Sequence, residues 1–182
     1  CCSDGRMIRC ECSILNLMTG GRERILEAFT VSFAATAADT AVQTITYNGE
    51  HQVSYANNNN FTGTAIVTAL FDATKETRSY GAIVTFEPGA HTAWHSHTLG
   101  QKLIVTDGVG YTQYENGQVE IIKAGDVVVC PPGIKHWHGA ALNSPMTHIA
   151  IGEKDERPSA VWYEKISEQE YADLINGANK QK

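Results

Sequence analysis

Gly89-Ala90-His91-Thr92-Ala93-Trp94-His95-Ser96-His97-Thr98-Leu99-Gly100-Gln101 and, farther along, Pro131-Pro132-Gly133-Ile134-Lys135-His136-Trp137-His138 decide how this chain is read. His95 and His97 are two residues apart, so on a strand their side chains share one face. His136 and His138 repeat that spacing after a Pro-Gly turn. One His-x-His pair alone reads as surface or satisfied core histidine. Two pairs on separate strands facing one interior can close around a divalent metal, because imidazole nitrogen suits Zn, Cu, Fe, Ni and Mn. Gln101 follows the Thr98-Leu99-Gly100 bend and can add an amide oxygen.

The flanking sequence has strand character. Runs at 64–71, 80–86, 102–106, 111–114, 119–123, 127–130, 136–138 and 147–151 are apolar or alternating. Glu87-Pro88-Gly89, Asp107-Gly108 and Gly125-Asp126 read as turns between them, and Asn116-Gly117 reads as a hairpin. Short strands about ten residues apart with glycine turns predict an all-β sandwich or barrel. One helix is expected near the C-terminus. Ser167 is its N-cap, Glu170 completes a capping box, and Ile166 with Tyr171 forms a hydrophobic staple. Tyr171, Leu174 and Ile175 give it an apolar stripe against the barrel exterior, and Asn176-Gly177 is expected to end it.

Composition narrows the function. The 182 residues carry a net charge of −6 without a dense Lys/Arg cluster, so nucleic acid is not an expected partner. No run of about 20 apolar residues exists, so no helical membrane span is expected. Gly108-Val109-Gly110 lacks the third glycine of a dinucleotide fingerprint, and no nucleophile elbow is present.

The first 38 residues differ from the rest. They hold Cys1, Cys2, Cys10 and Cys12, whose spacing matches no zinc finger. Arg22 to Arg24 precede an apolar or small stretch, interrupted by Glu27, that ends in Ala35-Thr36-Ala37-Ala38. That pattern resembles the end of a signal peptide, and the alternative is a disordered extension. If cleavage falls near Ala38, the protein is periplasmic or secreted; otherwise it is cytoplasmic. Residues 39–60 read as a leading arm with one short strand and a loop, 61–165 as the barrel, and 166–182 as helix and tail. Cys130, in an apolar run, reads as a buried, inert thiol.

At the histidines the chain resembles a known family. Gly89, His95, His97, Gln101 and Gly108 are spaced like the first cupin motif, and Gly125, Pro131, Gly133 and His136 like the second. The resemblance covers about residues 60–165 and implies a double-stranded β-helix, a jelly-roll barrel with a metal inside. Most cupins of this pattern carry Glu where this chain has Gln101. Three neutral imidazoles and a neutral amide would leave the metal its full charge, which strengthens its Lewis acidity.

The stretches Phe61 to Thr64, Val84 to Gly89, Thr92 to Gln101, Lys135 to Ala140 and Met146 to Ile151 are similar to the small bacterial cupins that include manganese-dependent hydroxynitrile lyases. That similarity implies His95, His97, Gln101 and His136 as metal ligands, and His148 as the base. His138, Phe86 and Thr92 match pocket positions. The implied cofactor is one divalent metal ion, Mn or Fe, with Ni or Zn as alternatives. The implied partners are a small-molecule substrate and further copies of the chain, as a homodimer or larger homo-oligomer.

Read from the residues alone, His148 shares a strand face with Met146 and Ala150, either lining the cavity or bonded to the barrel wall. Phe86 and Thr92 read equally well as core and turn residues, and His51 and His91 as structural or exposed. Two departures from those relatives stand out: Gly152 replaces a Gln and His91 replaces an Arg. Three functions fit: a lyase of hydroxynitrile-lyase type, an iron-dependent dioxygenase, or a non-catalytic metal-containing binding protein.

Overall fold

The structure, a computed structural model, describes residues 42–180. The amino-terminal cysteines and the stretch ending at Ala38 lie outside the described residues. Twelve strands and one helix follow in chain order: β1 (Val53–Tyr55), β2 (Phe61–Thr62), β3 (Ala65–Phe71), β4 (Ser79–Phe86), β5 (His91–Thr92), β6 (His95–His97), β7 (Gln101–Tyr114), β8 (Glu120–Lys123), β9 (Val127–Cys130), β10 (His136–Ala140), β11 (Met146–Glu153), β12 (Ala160–Trp162) and α1 (Glu168–Lys180).

All pairings are antiparallel. One sheet runs β1-β3-β4-β11-β7-β9, and the other runs β2-β5-β10-β7-β8, with β6 also on β10 and β12 on β6. The two sheets share β7 and curl around one interior, the all-β jelly-roll arrangement expected from the sequence.

Two sequence expectations need correction. Asp107-Gly108 does not end a strand: β7 runs through it for 14 residues. β11 pairs with β7 on both sides of a register shift at Thr147/His148. This bulge bends β7 from one sheet into the other. Gly108 makes the bend feasible, with φ of 75° and a would-be Cβ 2.0 Å from the Pro145 carbonyl oxygen.

The helix is the second correction. Ser167 caps it as expected, its hydroxyl accepting from the Glu170 amide at 3.2 Å. Asn176-Gly177 does not stop it, and α1 continues to Lys180. The added turn is tied to the barrel by the Tyr111 hydroxyl, which donates to Asn179 Oδ1 at 3.1 Å. A tertiary bond here outweighs the local C-cap preference.

Two apolar clusters hold the described residues together. The inner one packs Phe86, Met146, Val105 and Ile122 between the sheets. The outer one packs Trp137, Tyr111, Ile166, Tyr171 and Ile175 under α1. Each fully buried large side chain contributes about 1.5–3 kcal/mol. Trp137 points away from the barrel interior yet is fully buried, because α1 covers it. His91 is fully buried beside it, stacked on Tyr171 with ring centroids 3.9 Å apart. Its ring nitrogens lie 2.8 Å from the Gly89 carbonyl oxygen and 2.9 Å from that of Ile166. His91 thus latches the segment that leads into the helix.

Candidate metal centre

β6 and β10 deliver the histidines. His136 pairs directly opposite His95, so both side chains enter the barrel at one level. Pairing extends that row across the second sheet, with Tyr114 beside His136 and Trp162 beside His95. A second level holds Thr112 beside His138. From the facing sheet, Gln101 enters beside Cys130, and His148 beside Val84 and Val105.

Three histidines share one hydrogen-bonding pattern. His95 Nδ1 lies 3.0 Å from the Ala93 carbonyl oxygen, His97 Nδ1 3.2 Å from that of Ser159, and His136 Nδ1 2.9 Å from that of Ile134. A backbone acceptor on Nδ1 fixes the proton there and leaves Nε2 as an outward lone pair, as metal-binding histidines require. Nε2 of His97 and of His136, with Gln101 Oε1, is buried without a hydrogen-bond partner. Buried polar atoms are ordinarily paired, so such orphans mark a place where another species binds. The donor set fits a divalent metal.

One ring nitrogen each of His95, His136 and His138 lie within 4.8 Å of one another. His138 is therefore in this group, and His97 is not. Its Nδ1 differs from the other three in having no carbonyl partner. Its backbone amide donates to the Thr92 hydroxyl at 3.2 Å, the one local bond that Thr92 supplies to the site.

His148 lies deeper and is fully buried. Its ring sits 4.9 Å from that of His138, edge on, and 5.7 Å from that of Phe86. Neither of its ring nitrogens has a partner.

The site keeps its imidazoles neutral. Burial pushes His148 down to about 4. Burial, then the neighbouring His136, pushes His97 to about 4 as well. His95 is lowered well below the usual range by burial and by His136. Burial followed by His148 does the same to His138. Cys130 is buried and its thiol rises to about 11, which keeps it protonated.

A stability trend follows from His148. Its folded value, about 4, is below the unfolded reference of 6.5, so the unfolded chain binds more protons between them. Metal-free protein is therefore expected to lose on the order of 3 kcal/mol through this group as pH falls from 6.5 to 4. Urea midpoints across that range test this, and His148→Gln is expected to make the decline shallower by about its own share, with His95, His97 and His138 still contributing. An equally steep decline in the variant would assign it to other groups.

The residues that sequence reasoning missed are aromatic. The Trp162 ring stacks on His95 at 4.7 Å, and Phe61 bridges Trp162 and Phe86 at 5.8 and 5.9 Å. The signal for Trp162 was its strand register, which a single short run of three residues does not reveal. Tyr80 is the other. It pairs opposite Gly152, and a Cβ there would lie 2.5 Å from its hydroxyl oxygen. The tyrosine ring fills the space that a glutamine would take, which explains why position 152 is glycine.

Residues 82–152 match the cupin domain. An (R)-mandelonitrile lyase of Granulicella tundricola is 52% identical over 111 residues, covering 61% of this chain and 85% of the relative. The crystal structure of a cupin-like protein from Thermotoga maritima is 40% identical, with a TM-score of 0.62 over 66% of this chain and 92% of that one. A cupin-2 domain from Rhodospirillum rubrum shares the fold at 13% identity, with a TM-score of 0.58 over 75% of this chain and 95% of that one. The histidine cluster and the strands β5 to β10 lie on the matched segment, and the chain belongs to the cupin family.

Proposed function

We propose that this cupin is a metal-dependent carbon–carbon lyase of hydroxynitrile-lyase type. His95, His97, Gln101 and His136 hold one divalent metal, His148 is the general base, and His138, Phe86 and Thr92 form the pocket walls. The observation that carries the reading is His148: a fully buried imidazole with two unpartnered nitrogens, beside the histidine cluster. The 52% identity to a mandelonitrile lyase supports the same reaction class. An all-neutral nitrogen and amide donor set suits Mn or Fe and accommodates Ni or Zn.

When bound, the metal supplies a Lewis acid that stabilises developing negative charge. The chain supplies the rest. Phe86 and Trp162 exclude water from the histidines. His148, neutral above about pH 4, accepts the hydroxyl proton of a cyanohydrin. As that proton leaves, the carbon–carbon bond to the nitrile breaks, its electron pair departs as cyanide, and the carbonyl forms. In the reverse direction His148 returns the proton to the alkoxide oxygen.

The test is cleavage of mandelonitrile by Mn-loaded protein, read as benzaldehyde absorbance alongside an oxygen electrode. Benzaldehyde without oxygen uptake is expected. Substrate-dependent oxygen consumption would transfer the site to dioxygenase chemistry. No turnover, with a rise in melting temperature on adding ligand, would leave a binding protein.

The same reading includes a homodimer. Ile83, Ile149 and Ile104 stand side by side across β4, β11 and β7 on the outer face of the first sheet, with Val127 next in the row. A contiguous apolar stripe of this kind favours burial against a second copy. Sedimentation velocity is expected to give a dimer that Ile149→Asp converts to monomer. A wild-type monomer at micromolar concentration would remove the dimer.

A further inference from the structure

A cavity of about 370 Å³ opens to solvent between the ends of β7, β8, β9 and β10, and His136 is part of its lining. That size falls within the range of small-molecule sites. Its walls continue the faces that carry the candidate ligands. Tyr114 and Thr112 stand beside His136 and His138 on the second sheet. Cys130 and Val128 stand beside Gln101 and Leu103 on the first. Pro131 and Ile134 close the mouth. Phe86, Thr92 and His148, in contrast, are sealed inside the barrel and do not line it.

The wall has few free polar groups. The Thr112 hydroxyl is spent, donating to the Trp137 carbonyl oxygen at 2.9 Å, and so leaves its methyl to face the cavity. The Gln113 side chain is likewise engaged, accepting from Trp137 Nε1 and donating to the Gly117 carbonyl oxygen, both at 2.9 Å. The Cys130 side chain is buried. Exposed Gln118 and Glu120 lie at the rim, and among the described residues no lysine or arginine lines the cavity.

We propose that this cavity is the access funnel and specificity pocket of the metal centre. It admits a neutral molecule with a ring-sized apolar body, and Ile134, Cys130 and Tyr114 set its width. In the metal-free protein a charged carboxylate body is disfavoured, because Glu120 repels it and no lysine or arginine among the described residues receives it. The inference rests on the metal-centre reading and deepens it by placing the substrate's ring in the cavity on the His136 side, with its reacting hydroxyl and nitrile directed inward to the Phe86, Thr92 and His138 walls and His148.

The probe is 4-fluorobenzyl alcohol followed by fluorine NMR, with 4-fluorobenzoate as the anionic control. Saturable binding of the alcohol is expected with metal-free protein, at least tenfold tighter than the benzoate. Mn loading is expected to add paramagnetic broadening that Zn loading does not. Ile134→Trp, at a half-exposed rim position, and Cys130→Phe are each expected to weaken binding tenfold or more. Ile134→Trp keeps the test alive if Cys130→Phe fails to fold. No saturable binding, unchanged affinity in Ile134→Trp, or no Mn broadening on Mn-loaded protein would overturn the proposal. Failure to cleave mandelonitrile with these binding results intact would remove the lyase and leave the funnel. Cleavage with the binding results reversed would do the opposite.

Discussion

Replacing His148 by alanine is expected to lower mandelonitrile turnover by about 10²–10⁴-fold while bound metal stays at the wild-type level. The size follows from what a positioned general base ordinarily contributes. The separation from metal binding follows from geometry. His148 enters from β11, and its Nδ1 lacks the backbone-carbonyl partner that His95, His97 and His136 share. Its replacement removes a proton acceptor and leaves the Nδ1-anchored set intact. The pH profile supplies a second readout. With His148 neutral down to about 4, activity is expected to persist at mildly acidic pH and to fall as the ring protonates near that value. Unchanged turnover in His148→Ala at full metal occupancy would remove His148 from the mechanism.

Replacing His95 together with Gln101 by alanine is expected to reduce metal from near one equivalent to background, measured by mass spectrometry on dialysed protein. Two of four donors are lost, and the remaining His97 and His136 cannot close a site alone. The effect on fold is expected to be small. Gln101 contributes an unpartnered oxygen to the interior, so its loss removes a burial cost along with packing, and His95 gives up only its one bond to the Ala93 carbonyl oxygen. Circular dichroism separates the two outcomes. The single variant His138→Ala distinguishes the two ligand sets. Metal content is expected to survive it, because His138 Nδ1 lacks the carbonyl partner that anchors His95, His97 and His136. Loss of metal in His138→Ala would make His138 a ligand.

Much of this was legible because the relevant periods are short. The two-residue spacing of His95/His97 and His136/His138 reads out strand faces directly, and the structure places all four in the barrel interior. The Ser167 cap and the Asn116-Gly117 hairpin are local devices and form where expected, with Asn116 taking the left-handed position at φ of 64°. The misreadings at Asp107-Gly108 and Asn176-Gly177 share one cause. Glycine permits a turn or a helix end but does not compel it. Pairing with β11 carried the strand through the first, and the Tyr111–Asn179 bond carried the helix past the second.

Sequence by itself determined the fold class, the histidine pairs and the family, since these depend on alternation and spacing along one strand at a time. Only the tertiary structure decided which atoms meet. Cross-strand register set Trp162 against His95 and Tyr80 over Gly152, and it brought Cys130 level with Gln101. Backbone carbonyls from Ala93, Ser159 and Ile134 selected the nitrogens that face the centre, and closure of the two sheets left His148 without a partner. Those contacts join residues distant in the chain, and their energies arise only once the barrel has closed.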